Sequence, residues 1–155
     1  KAGITPAERK VVAPALEKAE ETGDAAAAME LPDGTIVTGR TSDLLGASSA
    51  LLLNALKKLG GLPDDLHMIS PIVLEPIQNL KTNHLGNRNP RLHTDETLIA
   101  LSISASTNPM AKHAMDQLGK LRGCDVHSSV ILSQVDERTF KRLGVNLTCE
   151  PRYQG

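Results

Sequence analysis

The chain has almost no aromatic side chains: Phe140 and Tyr153 are the two it carries, and tryptophan is absent. Its core must therefore be assembled from Leu, Ile, Val, Ala and Met. Modules that stack nucleic-acid bases on aromatic platforms are disfavoured. It also lacks an excess of either charge. Seventeen Lys and Arg against eighteen Asp and Glu leave a net charge of −1, with no basic face dense enough for a phosphate backbone, so nucleic acid is not an expected partner. Two cysteines, Cys124 and Cys149, stand alone without a C-x-x-C neighbour and read as reduced thiols rather than a disulfide framework. No apolar run reaches the length of a membrane span, and the charged opening from Lys1 to Glu8 is not a signal sequence. The expectation is a cytosolic protein with no membrane partner. The first residue is Lys rather than Met, which reads as a fragment of a longer chain or a processed start.

What remains is ample for one core. The 155 residues, 40% apolar and 23% charged, fit a single domain over residues 1–155. Thr5-Pro6-Ala7-Glu8 is a capping box with Pro at the first helical position, predicting a helix to about Thr22 that ends at Gly23 and is kinked or restarted by Pro14. Pro32-Asp33-Gly34 between apolar runs predicts a hairpin of Ala25 to Leu31 with Thr35 to Thr38, although four consecutive alanines favour helix by propensity. Leucines at helical spacing predict the longest helix from about Asp43 to Leu59, stopped by Gly60-Gly61.

Further along, Leu66 to Ile69 reads as a short strand, Pro76 to His84 as a helix, and Leu85 to Leu92 as a polar loop. Helices are expected over Thr94 to Ser104, Asn108 to Arg122 and Asp136 to Leu143, with strands at Val126 to Leu132 and Val145 to Cys149. This order predicts an α/β fold, a three-layer α/β/α sandwich around a mixed sheet of about five strands, with a weakly tethered tail at Pro151 to Gly155.

Several segments carry a family resemblance: LPDGTIVTGRTSDLLGASSALLLNALKKLGG from Leu31, NPRLHTDETLIALSISASTNP from Asn89, LRGCDVHSSVILSQVDE from Leu121 and LGVNLTCEP from Leu143. The chain resembles the carboxyl-terminal part of a bacterial family called domain of unknown function 1846. Members of that family are much longer, and the resemblance implies an upstream part with a glycine-rich, lysine-containing stretch similar to a phosphate-binding loop. That stretch is not in this segment. No cofactor is expected here, and a nucleotide is an expectation for the longer protein only. Neither H-E-x-x-H nor a glycine-rich phosphate loop supports a description of such proteins as ATP-dependent proteases. The element order also resembles the cytidine-deaminase-like topology. Where its zinc ligands would stand, this chain has Gly46-Ala47-Ser48 and Ser70-Pro71-Ile72-Val73, so no metal ligand is assigned.

Two constellations stand out, each with a plain structural alternative. Gly39, Arg40, Thr41 and Ser42 lie between a strand and the long helix. Backbone N–H groups, two hydroxyls and one guanidinium there could hold a phosphate or carboxylate, with Ser70 at a neighbouring strand end, or simply cap a helix. His93, Asp95 and Glu96, near Arg88 and Arg91, could serve general acid–base chemistry. They are also what a helix start produces when acids complement its dipole. Ser48 and Ser49 read as small packing residues. Cys124 shows no base beside it, and no G-x-S-x-G elbow presents a nucleophilic serine. The leading expectation is a non-catalytic assembly domain that packs on an upstream part of the same polypeptide and helps form a homo-oligomer. The alternative is a ligand-binding or enzymatic domain whose anion site sits where strand ends meet helix N-termini.

Overall fold

Pro32-Asp33-Gly34 reverses the chain as its residue types require. Gly34 takes a φ of 89°, the Asp33 carboxylate accepts from the Thr35 N–H at 2.9 Å, and Leu31 N–H bonds to the Thr35 carbonyl at 2.8 Å. In the computed structural model, which describes residues 10–87 and 89–152, the flanking segments are β1 (Ala26–Glu30) and β2 (Ile36–Arg40). They pair antiparallel from Ala26 opposite Arg40 to Glu30 opposite Ile36. The alanine run is a strand because β1 is the inner one: it pairs antiparallel with β3 (Asp125–Ser128) on its other edge, which pairs parallel with β4 (Asn146–Cys149). Ala26, Ala27, Ala28 and Met29 are all fully buried, so packing on two edges and two faces overrides their helix propensity.

Among the described residues the sheet has four strands in the order β2-β1-β3-β4, one fewer than the sequence predicts. Because β1 opposes both neighbours, β2 and β3 run the same way and end at the same edge of the sheet. Helices cover both faces. Ala28 and Ile36 pack with Val11 and Ala15 of α1 (Val12–Thr22) and its approach. Ala27, Met29 and Val126 face the main core, where they meet Leu51, Leu52, Ala55 and Leu56 of α2 (Ala47–Leu59), Leu101 of α4 (Thr94–Ala105), Ala111 and Ala114 of α5 (Pro109–Met115), and Phe140 of α6 (Gln134–Leu143). This is the α/β/α sandwich that the element order implies.

The missing strand is Leu66 to Ile69. Met68 and Ile69 are buried, yet the backbone pairs with no strand. Ser70-Pro71, read as a strand stop, is instead a helix start: the Ser70 hydroxyl accepts from Ile72 N–H at 3.2 Å and Pro71 takes the first helical position of α3 (Pro71–Asn79). A π-helical turn, Leu80–His84, extends it. The expected capping box at Thr5 to Glu8 lies outside the described residues. α1 begins at Val12 with Pro14 in its first turn, where proline needs no intrahelical donor partner.

α2 is the longest helix and runs unbroken through Leu51, but it starts four residues later than the spacing suggests. Leu44 and Leu45 leave the helix to pair with Leu92: Leu92 N–H bonds to the Leu44 carbonyl at 3.0 Å, and Gly46 N–H to the Leu92 carbonyl at 3.3 Å. The helix predicted over Asn108 to Arg122 is α5 followed by a 3₁₀ turn, Leu118–Leu121. The strand predicted to Leu132 ends at Ser128, whose hydroxyl turns back to the Val130 carbonyl at 2.7 Å.

Candidate functional site

The connections that displace these helix starts also bring three of them together. The Leu45–Leu92 bridge sets the beginning of α2 beside that of α4, and Ser49 Oγ reinforces it with a 2.9 Å bond to the Leu92 carbonyl. Arg91 Nε donates to the Ser42 carbonyl at 2.5 Å. α6 joins through Asp136, whose Oδ1 accepts from Thr94 N–H at 2.9 Å and from Thr94 Oγ1 at 2.8 Å. The α6 start is itself capped by Ser133, which accepts from Asp136 N–H.

Between these starts, at the edge where β2 and β3 end, lies a cavity of about 100 Å³. Gly46, Ala47 and Ser48 form one wall, Arg91 and His93 a second, and Ser133 and Asp136 a third, with Ala25 and Val130 at the sheet edge. In open α/β sheets this edge is where ligands bind. Gly46 caps α2 without a side chain, so no side chain bonds the N–H groups of the first turn. Ser48 is 3% exposed, and its hydroxyl has no hydrogen-bond partner. Ser48 lies one turn before Leu52 on the buried stripe of the helix, and it also lines the cavity. Among the described residues three other buried side-chain atoms also lack partners, Thr97 Oγ1, Ser104 Oγ and Gln117 Oε1, but none of those residues lines this cavity.

His93 Nδ1 stands 3.6 Å from Asp136 Oδ2. The Asp136 carboxylate beside it holds the imidazole pKa above its ordinary value, against the opposing pull of partial burial. Burial works to raise the Asp136 carboxyl, but the neighbouring His93 imidazole and the two bonds from Thr94 outweigh it and leave its pKa below the ordinary value. The arrangement therefore favours an imidazolium next to a carboxylate whose other oxygen is already committed to Thr94.

The residues singled out in the sequence are distributed differently from their order in the chain. Gly39, Arg40, Thr41, Ser42 and Ser70 do not line the cavity. Gly39 packs against α2, where a Cβ would lie 2.2 Å from Leu51 N. The Arg40 guanidinium sits 3.7 Å from Asp24. Thr41 is buried and its N–H bonds to the Ala25 carbonyl. Ser42 closes a turn on Leu45, and α2 begins only at Ala47, so residues 40–42 are not its first turn. Ser70 caps α3.

The second group divides. Arg91 and His93 reach the cavity, whereas Glu96 turns inward, accepting from His93 N–H and from Lys81 Nζ, both at 2.8 Å. Lys81 is 4% exposed and also donates to the Arg91 carbonyl at 2.6 Å. Asp95 accepts from Glu96 N–H on the exposed side of the helix start. Arg88 lies outside the described residues. Sequence reasoning missed Ser48 and Asp136. Nothing local marks either one, because the cavity joins positions 46–48, 91–93 and 133–136.

Elsewhere, His127 is 1% exposed and lies between Thr148 Oγ1 at 2.6 Å and Glu150 Oε2 at 2.8 Å. Burial raises the thiol pKa of Cys124 and Cys149, the opposite of what a nucleophilic cysteine needs. Among the described residues no helix is long and apolar enough to cross a membrane.

Against known families, the model described as domain of unknown function DUF1846, C-terminal, matches residues 7–155. The chain belongs to the DUF1846 family. A UPF0371 protein of Corynebacterium aurimucosum is 60% identical over 151 residues, covering 97% of this chain and 30% of that protein. A UPF0371 protein of Streptococcus pneumoniae serotype 19F is 52% identical over 152 residues, 98% of this chain and 31% of its own length. The DUF1846 C-terminal domain thus spans about three-tenths of the curated relatives it matches. The family match does not confirm the deaminase-like topology.

Proposed function

We propose that this domain binds a small anionic ligand in the cavity where α2, α4 and α6 begin. The observation that carries the reading is Ser48, a buried hydroxyl without a partner at the start of a helix whose first-turn N–H groups no side chain caps. A buried hydroxyl left unpaired costs about 1 to 3 kcal/mol, and an anion's oxygen would satisfy it together with those N–H groups. Arg91 adds a cation at the rim, anchored through Nε so that its terminal nitrogens are available to the ligand. This supports the ligand-binding alternative drawn from the sequence, moved from residues 39–42 to the neighbouring cavity.

The test is calorimetric titration of inorganic phosphate and of acetate into wild type, Ser48→Ala, Arg91→Ala and Arg40→Ala. Binding weakened about tenfold or more by Arg91→Ala, and left intact by Arg40→Ala, supports the cavity. The reverse pattern would return the ligand to the β2–α2 connection, and no binding by any protein refutes the proposal.

A second reading, the assembly role, is favoured by a separate observation. Ile99 and Ile103, one turn apart on α4, are 57% and 53% exposed, and Met110 of the adjoining α5 is 48% exposed. Such a grouped apolar surface suits a docking face for the rest of a longer polypeptide or for a second copy.

A further inference from the structure

We propose that the anion taken by this cavity is the terminal phosphate of a monoester, and that His93, positioned by Asp136, meets it as a proton-bearing arm, so that binding is linked to proton uptake. The inference rests on the anion-binding reading above and goes on to name the ligand class and the proton.

The donors come from two helix starts that meet at the cavity: the uncapped first turn of α2 with the buried, unpartnered Ser48 hydroxyl, and the approach to α4 with the Arg91 guanidinium and the His93 imidazole, the latter beside Asp136 of α6. A planar carboxylate satisfies donors lying near one plane. A tetrahedral phosphate with three terminal oxygens can meet donors arriving from both helix starts together. A cavity of about 100 Å³ admits one such group and leaves the rest of the ester outside, and the walls carry no Phe, Tyr or Trp ring.

Asp136 itself lines the cavity and would repel an anion if its charge were free. Its Oδ1 is taken by two donors from Thr94, and its Oδ2 faces His93, so the carboxylate acts on the imidazole rather than on the ligand. The other charged groups around His93 are Glu96 and Asp95 on its own helix start, Lys81 on the π-helical turn and Arg91 two residues before it. The first turn of α2 brings no titratable group. Glu96 and Lys81 are paired with each other, and Asp95 is on the exposed side. That leaves His93 as the group whose charge at the cavity changes near neutral pH. Its raised pKa agrees with this role. Asp136 is a positioning residue: it holds the imidazole and favours its charged form without meeting the ligand.

The experiment compares methyl phosphate, inorganic sulfate and acetate binding to the whole domain, by calorimetry from pH 5.5 to 8.5 in buffers of different ionisation enthalpy. Sulfate stays dianionic throughout, so any pH dependence of its binding belongs to the protein. In wild type, sulfate affinity should fall by nearly tenfold per pH unit once His93 deprotonates, with about one proton taken up per anion on that limb. His93→Gln should bind more weakly, with a flat profile and no proton uptake. Asp136→Asn should retain a sloping profile shifted to lower pH, a change that loss of packing alone would not produce.

Methyl phosphate bound at least tenfold more tightly than acetate supports the ligand class, and equal binding overturns it. A flat sulfate profile in wild type, with Arg91→Ala still weakening binding, overturns the proton linkage but leaves the anion site standing. Absence of binding by all three anions overturns both.

Discussion

At the scale of single residues, Gly39 and the charged groups behind α4 carry the firmest expectations. Gly39 has an ordinary strand conformation, so its need for glycine is one of space: a Cβ would meet Leu51 N at 2.2 Å and Ala47 O at 2.9 Å, backbone atoms that cannot swing aside. Gly39→Ala should therefore push α2 off β2 and cost about 3 kcal/mol, the upper end of what overpacking does, as read by urea denaturation. Glu96→Gln leaves the ammonium of buried Lys81 with a carbonyl but no counter-charge and should cost about 1.5 to 3 kcal/mol by the same measurement.

The His93–Asp136 pair sets a pH window. A raised imidazole pKa contributes stability that is present below the ordinary value of 6.5 and is lost as pH rises through the folded value. A lowered carboxyl pKa contributes stability that is present above the ordinary 3.8 and is lost as pH falls through the folded one. Denaturation midpoints should thus be highest between those limits, and His93→Gln should flatten the decline on the alkaline side. An unchanged alkaline slope in that variant would mean the pair does not contribute.

Among the elements, α2 does the most to organise the fold. Its buried face runs from Ser48 through Leu52 to Leu56, and Leu52 is fully buried among the residues that close the sheet's main face. Leu52→Ala should cost about 2 to 5 kcal/mol in chemical denaturation, from lost transfer energy and the cavity left behind. A loss below about 1 kcal/mol would mean that the helix repacks freely. α4 is the contrasting element: it buries Ala100 and Leu101 on one side and exposes Ile99 and Ile103 on the other, so a face that would normally be polar is apolar.

For the whole molecule, that second face separates stability from association. Replacing Ile99 and Ile103 together by serine truncates two side chains that are each more than half exposed and should change unfolding free energy by no more than about 1 kcal/mol. If the surface docks a second copy, the same double variant should lower the sedimentation coefficient of the concentrated domain. Equal sedimentation of the two proteins would remove the evidence for self-association.

Local chemistry was sufficient for much of this architecture. Pro32-Asp33-Gly34 dictates its hairpin, the leucines of α2 and Gly60-Gly61 fix where that helix runs and stops, and Asn108-Pro109 and Gly144 mark their boundaries, because capping, turn formation and amphipathic period depend on neighbours within a few residues. The tertiary structure decided whatever depended on a distant partner. Leu44 and Leu45 fit a helix in sequence but pair with Leu92, the alanines of β1 become a strand because neighbours lie on both edges, and Leu66 to Ile69 has the composition of a strand without one to pair with. The candidate site belongs to this second group. Ser48, Arg91, His93 and Asp136 are each ordinary at a helix start. They become a set of converging polar groups only because the Leu45–Leu92 bridge and the Thr94–Asp136 bonds seat three helix starts at one edge of the sheet, a contact between segments more than forty residues apart that no local pattern encodes.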